Sequence, residues 1–286
     1  MLPLKITPTF FSGIFLVLPW LAGAFLLSRR DWDRNSPRMK GLDHLISGRP
    51  IDAEKHFRIS LSRAKDDSDR VRSLVCLGDA LMDQGRYQES KACLLSALEL
   101  GDCTGSGQAS MADLLLISGT DPKQALDLVD QAAELSIAKS NRAFFDQSVT
   151  KNQALAAYME CRRKLRARLF LAEMAARKAR ALVQLDKHED ARQAVIEARQ
   201  IAEEAQTELQ RNELDRPFLG TAAIHRLAVG NDLSLACTHS EIGIAFLALG
   251  ETSRASEHFR ITSNTDRMGK YRRSARQHLE RLKSGD

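Results

Sequence analysis

Between residues 123 and 216 the chain contains neither glycine nor proline. These are the residues that most strongly interrupt helices, so their absence excludes frequent turns there and predicts long helices. Two-residue apolar alternation bounded by turn residues is missing, which leaves no segment that requires a strand. The cysteines are few and odd in number. Cys76, Cys93, Cys103, Cys161 and Cys237 cannot all pair, which excludes a complete disulfide framework and points to a reducing compartment. Net charge of one sign is also slight, +5 over 286 residues, far from a nucleic-acid-binding extreme. What is present is apolar surface: 43% hydrophobic content is enough for a continuous core and excludes a disordered chain.

Residues 10–28 carry no charge and read Phe-Phe-Ser-Gly-Ile-Phe-Leu-Val-Leu-Pro-Trp-Leu-Ala-Gly-Ala-Phe-Leu-Leu-Ser. At ~1.5 Å rise per residue such a helix approaches the ~30 Å hydrocarbon thickness of a bilayer, and Pro19 would kink it without forbidding insertion. Residues 1–30 are therefore expected to be a single transmembrane anchor. The alternative is a signal peptide cleaved after Ala24, since Ala22-Gly23-Ala24 is a small-residue site. Against cleavage, Lys5 alone supplies a positive leader, and the new terminus would begin at Phe25-Leu26-Leu27. Arg29, Arg30, Arg34, Arg38 and Lys40 follow the span, so the positive-inside rule places the C-terminal domain in the cytoplasm. Cleavage would instead give a periplasmic or secreted protein.

From Pro37 onward apolar residues recur at three- and four-residue spacing, the mark of amphipathic helices. Over residues 71–102, Leu74, Leu77 and Leu81 form one stripe and Ser90, Leu94, Ala97 and Leu98 another, separated by Gln84-Gly85-Arg86-Tyr87. Gly78 lies inside a helix at ~1 kcal/mol against alanine, which demands a close neighbour. Glycine pairs seven residues apart recur as Gly41 with Gly48, Gly78 with Gly85 and Gly243 with Gly250. After the first pair come Ala53 and Phe57, and after the last come Ala255 and Phe259. Turn residues Gly48, Gly85 and Gly119 repeat at intervals of 37 and 34, a period that specifies a solenoid.

Leu77-Gly78, Leu81, Gly85, Tyr87, Leu94 and Ala97 resemble the tetratricopeptide repeat signature of large, small and aromatic packing positions. Residues 110–138, with Asp121-Pro122, Ala125 and Ala132, are similar, as are residues 242–262. The expected fold is an all-α, tetratricopeptide-like solenoid over residues 36–284, with clearest repeats at 36–65, 71–102, 108–138 and 236–265. Its central helices are expected to be elongated at 154–185 and 189–214, a long hairpin within 150–214 turning at Asp186-Lys187-His188. A cap helix is expected within 269–284. The resemblance implies that the first helix of each hairpin lines a concave groove, so Arg38, Asp79, Met82, Asp83, Leu114, Ile117, Arg180, Ile244 and Leu247 are the candidate partner-binding residues. The lysine and asparagine clamp by which some family members hold a C-terminal carboxylate is not recognisable.

Sites for chemistry are weak by comparison. Gly101-Asp102-Cys103-Thr104-Gly105 has the spacing of a nucleophile elbow, but no strand precedes it, and Gly105-Ser106-Gly107 lacks the Gly-Lys-Ser/Thr of a phosphate loop. The histidines are scattered, and Cys237 and His239 would face different sides of a helix, so no metal is expected. Cys76 and Cys93 read as small core residues. Two basic segments stand out: Arg162, Arg163, Lys164, Arg166 and Arg168, continued by Arg177, Lys178 and Arg180; and Arg267, Lys270, Arg272, Arg273, Arg276, Arg281 and Lys283. Aromatics do not interleave with them, so a solvated helix face is expected, and the membrane anchor favours a lipid contact over a nucleic-acid one. The expectation is a non-enzymatic scaffold with no cofactor, holding a protein partner at the membrane. The alternatives are a periplasmic or secreted repeat protein of envelope assembly and an enzyme whose site no motif reveals.

Overall fold

A computed structural model gives the fold and describes residues 36–102, 104–141, 153–214, 221–266 and 269–284. The expected membrane anchor at residues 1–30 lies outside them. Among the described residues there is no strand, and no helix is long and apolar enough to cross a membrane. The helices are α1 (Pro37–Ile46), α2 (Pro50–Ser62), α3 (Asp67–Met82), α4 (Tyr87–Glu99), α5 (Ser106–Ser118), α6 (Pro122–Asn141), α7 (Gln153–Gln184), α8 (His188–Leu214), α9 (Thr221–Ala248), α10 (Thr252–Thr265) and α11 (Lys270–Ser284). They pack as five antiparallel hairpins, α1/α2 through α9/α10, and α11 lies against α10.

Local signals explain the boundaries. Pro37 and Pro50 begin α1 and α2, where a missing N–H leaves nothing unsatisfied, and the Ser36 hydroxyl accepts from the Met39 amide at 3.3 Å. The Asp66 carboxylate caps α3 by accepting from the Asp69 amide at 2.7 Å. Each hairpin then turns on one backbone motif. Arg49, Arg86, Thr120, Lys187 and Glu251 donate their amides to the carbonyls of His44, Leu81, Leu115, Leu182 and Phe246, five residues back, at 2.9–3.3 Å. That bond closes a helix C-terminus when the preceding residue is left-handed. Gly48, Gly85, Gly119 and Gly250 take that position with φ of 62–76°, and in the long hairpin Asp186 takes it with φ 58°.

Seven residues before each of these sits a small residue: Gly41, Gly78, Ala112, Ala179 and Gly243. A Cβ added to Gly41, Gly78 or Gly243 would approach Phe57, Leu94 or Phe259 to 2.5, 2.8 and 2.7 Å. The expected close neighbour of Gly78 is therefore Leu94, and the Ser90 hydroxyl also reaches the Gly78 carbonyl at 2.8 Å. Val129 and Val195 take the large-residue position in the third and fourth hairpins, the third having one extra turn residue. Ala53, Ser90, Ala125, Ala191 and Ala255 are fully buried at the adjoining small position. Small-against-large packing brings backbones close and leaves no void. One register thus runs through all five hairpins, including the centre, where alanine and aspartate replace the glycines that mark it elsewhere. Among the described residues, the 67 positions from Gly119 to Asp186 and the 64 from Asp186 to Gly250 are occupied by long helices, α6 to α9.

Candidate groove along the first helices

The first helices of the hairpins, α1, α3, α5, α7 and α9, touch one another in succession, and α9 touches α11. Counted from the small residue of each, the positions six and two before it and one after it bring together the polar side chains of neighbouring helices. Asp113 of α5 meets two arginines of α7. Arg177 donates through Nε at 2.8 Å and approaches through Nη2 at 2.7 Å, both to Oδ2, while Arg180 Nη1 lies 3.2 Å from Oδ1. Glu241 of α9 takes Arg180 at 2.9 Å and Arg177 at 3.6 Å. Glu173 adds a contact to Arg177 at 3.4 Å and accepts from the Thr238 hydroxyl at 3.2 Å. These charged side chains retain just 9–13% exposure, so each depends on its partners for solvation.

Burial and neighbours set the ionisation of the strip. Burial drives Glu173 up to about 7 against the pull of Arg177, with Glu241 adding to the rise. Burial likewise drives Asp79 up to about 6, although a hydrogen bond with Ser110 and the charge of Lys270 oppose it. Asp113 is held below its usual range: burial works to raise it, and Arg177 and Arg180 outweigh that. Lys270 of α11 pairs with Asp83 at 2.9 Å. Burial works to lower the ammonium, but Asp83 and then Asp79 hold it above its ordinary value.

Cys237 shares a hydrogen bond with Tyr271 and is pushed well up, chiefly by burial and then by Glu173. Tyr271 is raised as well, by Cys237 first and burial second. A protonated thiol and a protonated phenol are the wrong forms for nucleophilic chemistry.

No protein-family model and no curated protein matches this chain. Among solved structures it is similar to the TPR2AB domain of yeast Sti1 in a complex with pHSP90, at 14% identity, covering 87% of this chain and 98% of that one, with a TM-score of 0.30. It is also similar to a tetratricopeptide repeat protein from Parabacteroides merdae ATCC 43184, at 17% identity, covering 86% and 97%, with a TM-score of 0.32. Five hairpins share one register of small, left-handed and large positions. The chain is a helical-hairpin repeat protein.

The residues expected in the groove separate by that register. Asp79, Arg180 and Ile244 each follow the small residue by one. Asp79 and Arg180 belong to the polar strip, whereas Ile244 is half-buried against the last core. Asp83 and Ile117 occupy a second equivalent position, five beyond the small residue; Asp83 is held by Lys270 and Ile117 is 50% exposed. Met82 and Leu247 are half-buried against the core. Arg38 is half-buried on α1. Leu114 is a correction: it lies two beyond Ala112, equivalent to the fully buried Ala80, Ala181 and Ala245, and is itself a core residue at 3% exposure. Asp113, one residue earlier, is the strip residue of that helix. Glu173, Arg177 and Glu241 were missed too; the register would have found them once Ala112 and Ala179 were read as counterparts of Gly78.

Several of the basic side chains are engaged. Arg168 pairs with Glu204 and Glu208 at 2.6 and 2.7 Å, Arg163 with Glu160, and Lys178 with Asp130 at 2.9 Å. Asp102 of the apparent nucleophile elbow is a structural cap: its carboxylate accepts from the Thr104 amide at 2.8 Å and from the Gly107 amide, fixing the start of α5. Cys76 and Cys93 are free thiols beside the first core. Cys237 and His239 face different partners, His239 meeting His258 Nδ1 to Nδ1 at 2.9 Å. Among the described residues no three His, Cys, Asp or Glu side chains gather as a metal site.

Proposed function

We propose that this chain is a non-enzymatic interaction scaffold that holds a protein partner along the succession of first helices, tethered to a membrane by residues 10–28. The supporting observation is the shared register of five hairpins, which sets α1, α3, α5, α7 and α9 side by side with the exposed Ile117 and the half-buried Arg38 among their residues. Such a surface suits a long segment of a partner, because each hairpin contributes contacts while touching its neighbours alone. The uncharged stretch at residues 10–28 and the basic residues after it support the tether and a cytoplasmic strip.

Affinity capture of the full-length protein from gently solubilised native membranes tests both parts. A stoichiometric partner lost on Ile117→Asp, in a variant that still unfolds cooperatively, is the expected result. A partner set indifferent to Ile117→Asp and Arg38→Glu would defeat the groove reading. N-terminal sequencing of the mature protein tests the tether separately, since processing after Ala24 would make the protein periplasmic or secreted.

A further inference from the structure

The solenoid's ends meet. A stack of hairpins needs contacts between neighbours alone, yet α11 reaches back to the first two hairpins. Lys270 Nζ lies 2.9 Å from Asp83 Oδ2 at the end of α3, and Arg273 Nη2 donates to the Ser47 carbonyl, 226 residues away, at 2.6 Å. The fit is close at the second contact: a Cβ on Gly48 would fall 1.6 Å from Arg273 Nη2.

The two sides of α11 are held by different forces. Towards α9 and α10 the attachment is mainly apolar, with one hydrogen bond between Tyr271 and Cys237. Ala275 is fully buried in the last core, Leu279 and Leu282 pack on it, and His278 stacks on Phe259 with ring centroids 4.6 Å apart. Towards the first hairpins, Lys270 and Arg273 supply charge. The first core, built from Leu45, Ala53, Phe57, Leu77, Ala80 and Leu81, includes no residue of α11. The start of α11 is also fixed in direction. Asp266 accepts from the Gly269 and Arg272 amides at 2.8 Å each, across a turn in which Gly269 has φ 98°. Lys270 is thereby aimed at Asp83.

We infer that α11 is a latch: its apolar face belongs permanently to the last hairpin, while Lys270 and Arg273 close the solenoid reversibly against α1 and α3, and the groove admits a partner when that closure opens. This rests on the groove reading proposed above. A polar closure between partly exposed groups weakens with ionic strength, whereas the apolar side of α11 strengthens, so salt separates the two attachments.

Zero-length carbodiimide coupling of the full chain in detergent reads the closure directly, since it joins Lys270 to Asp83 where they touch. The expected result is an 83–270 cross-linked peptide at low ionic strength whose yield falls several-fold at ~1 M salt. Hydrogen exchange supplies the second readout. Asp83→Lys is expected to speed exchange at the amides of α1 and the first turn of α11 by about two- to fivefold, the scale of one ion pair. The swapped pair D83K/K270E is expected to return those rates to the wild-type values. A salt-independent cross-link with unchanged exchange in Asp83→Lys would mean a rigid ring and would overturn the latch. Fast exchange that persists in the swapped pair would overturn it as well. Neither readout needs a partner: a chain that latches and captures nothing defeats the scaffold reading alone, while groove-dependent capture without a salt-sensitive closure defeats the latch alone.

Discussion

Arg177 on α7 and Asp113 on α5, 64 residues apart, share a carboxylate oxygen at 2.7 and 2.8 Å, and Arg180 takes the other oxygen. The arrangement bridges the second half of the molecule to the first, because Arg180 also holds Glu241 of α9. Three successive hairpins are joined by one nearly buried cluster.

Replacing Arg177 with methionine is expected to destabilise the fold by about 3–5 kcal/mol, since Asp113, Glu173 and Glu241 would be left buried with one cation among them. Urea unfolding checks this. Replacing Arg168, whose partners Glu204 and Glu208 are a third to half exposed, is expected to change stability by less than about 1 kcal/mol.

Gly243→Ala gains ~1 kcal/mol in helix propensity but drives its Cβ to 2.7 Å from the Phe259 ring. Phe259 is fully buried and cannot move aside, so a net loss of about 1–3 kcal/mol is expected. Combining it with Phe259→Leu should recover part of the loss in a double-mutant cycle, because the two share one contact.

Asp186→Gly is expected to stabilise the long hairpin by up to about 1 kcal/mol, since a left-handed backbone is strained for a residue with a Cβ. A denaturation midpoint that falls would show that the Asp186 side chain contributes more than its backbone strain.

His239 and His258 are buried against each other and both sit at about 4, burial being the main cause, with His258 adding to the shift of His239 and Arg199 to that of His258. A lowered histidine pKa means that the unfolded chain binds the proton more tightly. Stability is therefore full above pH 6.5 and declines as pH falls towards 4, by up to about 3 kcal/mol for each group. The slope of stability against pH in this window should be shallower in His258→Gln.

Glu173 has the opposite sign. Its carboxyl is raised to about 7, so the folded state binds that proton more tightly than the unfolded one. Its contribution is full below pH 4.5 and is lost as pH rises through 7, by up to about 3 kcal/mol. Glu173→Gln should remove this component, flattening the difference between unfolding measured at pH 5 and at pH 8.

The sequence by itself determined the hairpins. Gly78 with Gly85, Pro37, Pro50 and the long stretch without glycine or proline act through local backbone physics, in which helix propensity, caps and left-handed turns need no knowledge of distant residues. It also set Asp79, Asp83 and Arg180 on the first helices, where Asp83 pairs with Lys270 and Arg180 with Asp113 and Glu241. It lost the register where Ala112 and Ala179 stand for glycine, and so did not show that Leu114 is a core residue and Asp113 an ion-paired one. The tertiary structure alone decided the partners. Asp113 meets Arg177 across 64 residues and Ser47 meets Arg273 across 226, and no local signal encodes either meeting. Charges on separate helices become partners only when the hairpins are stacked, because the residues that meet lie on different hairpins and far apart in the chain.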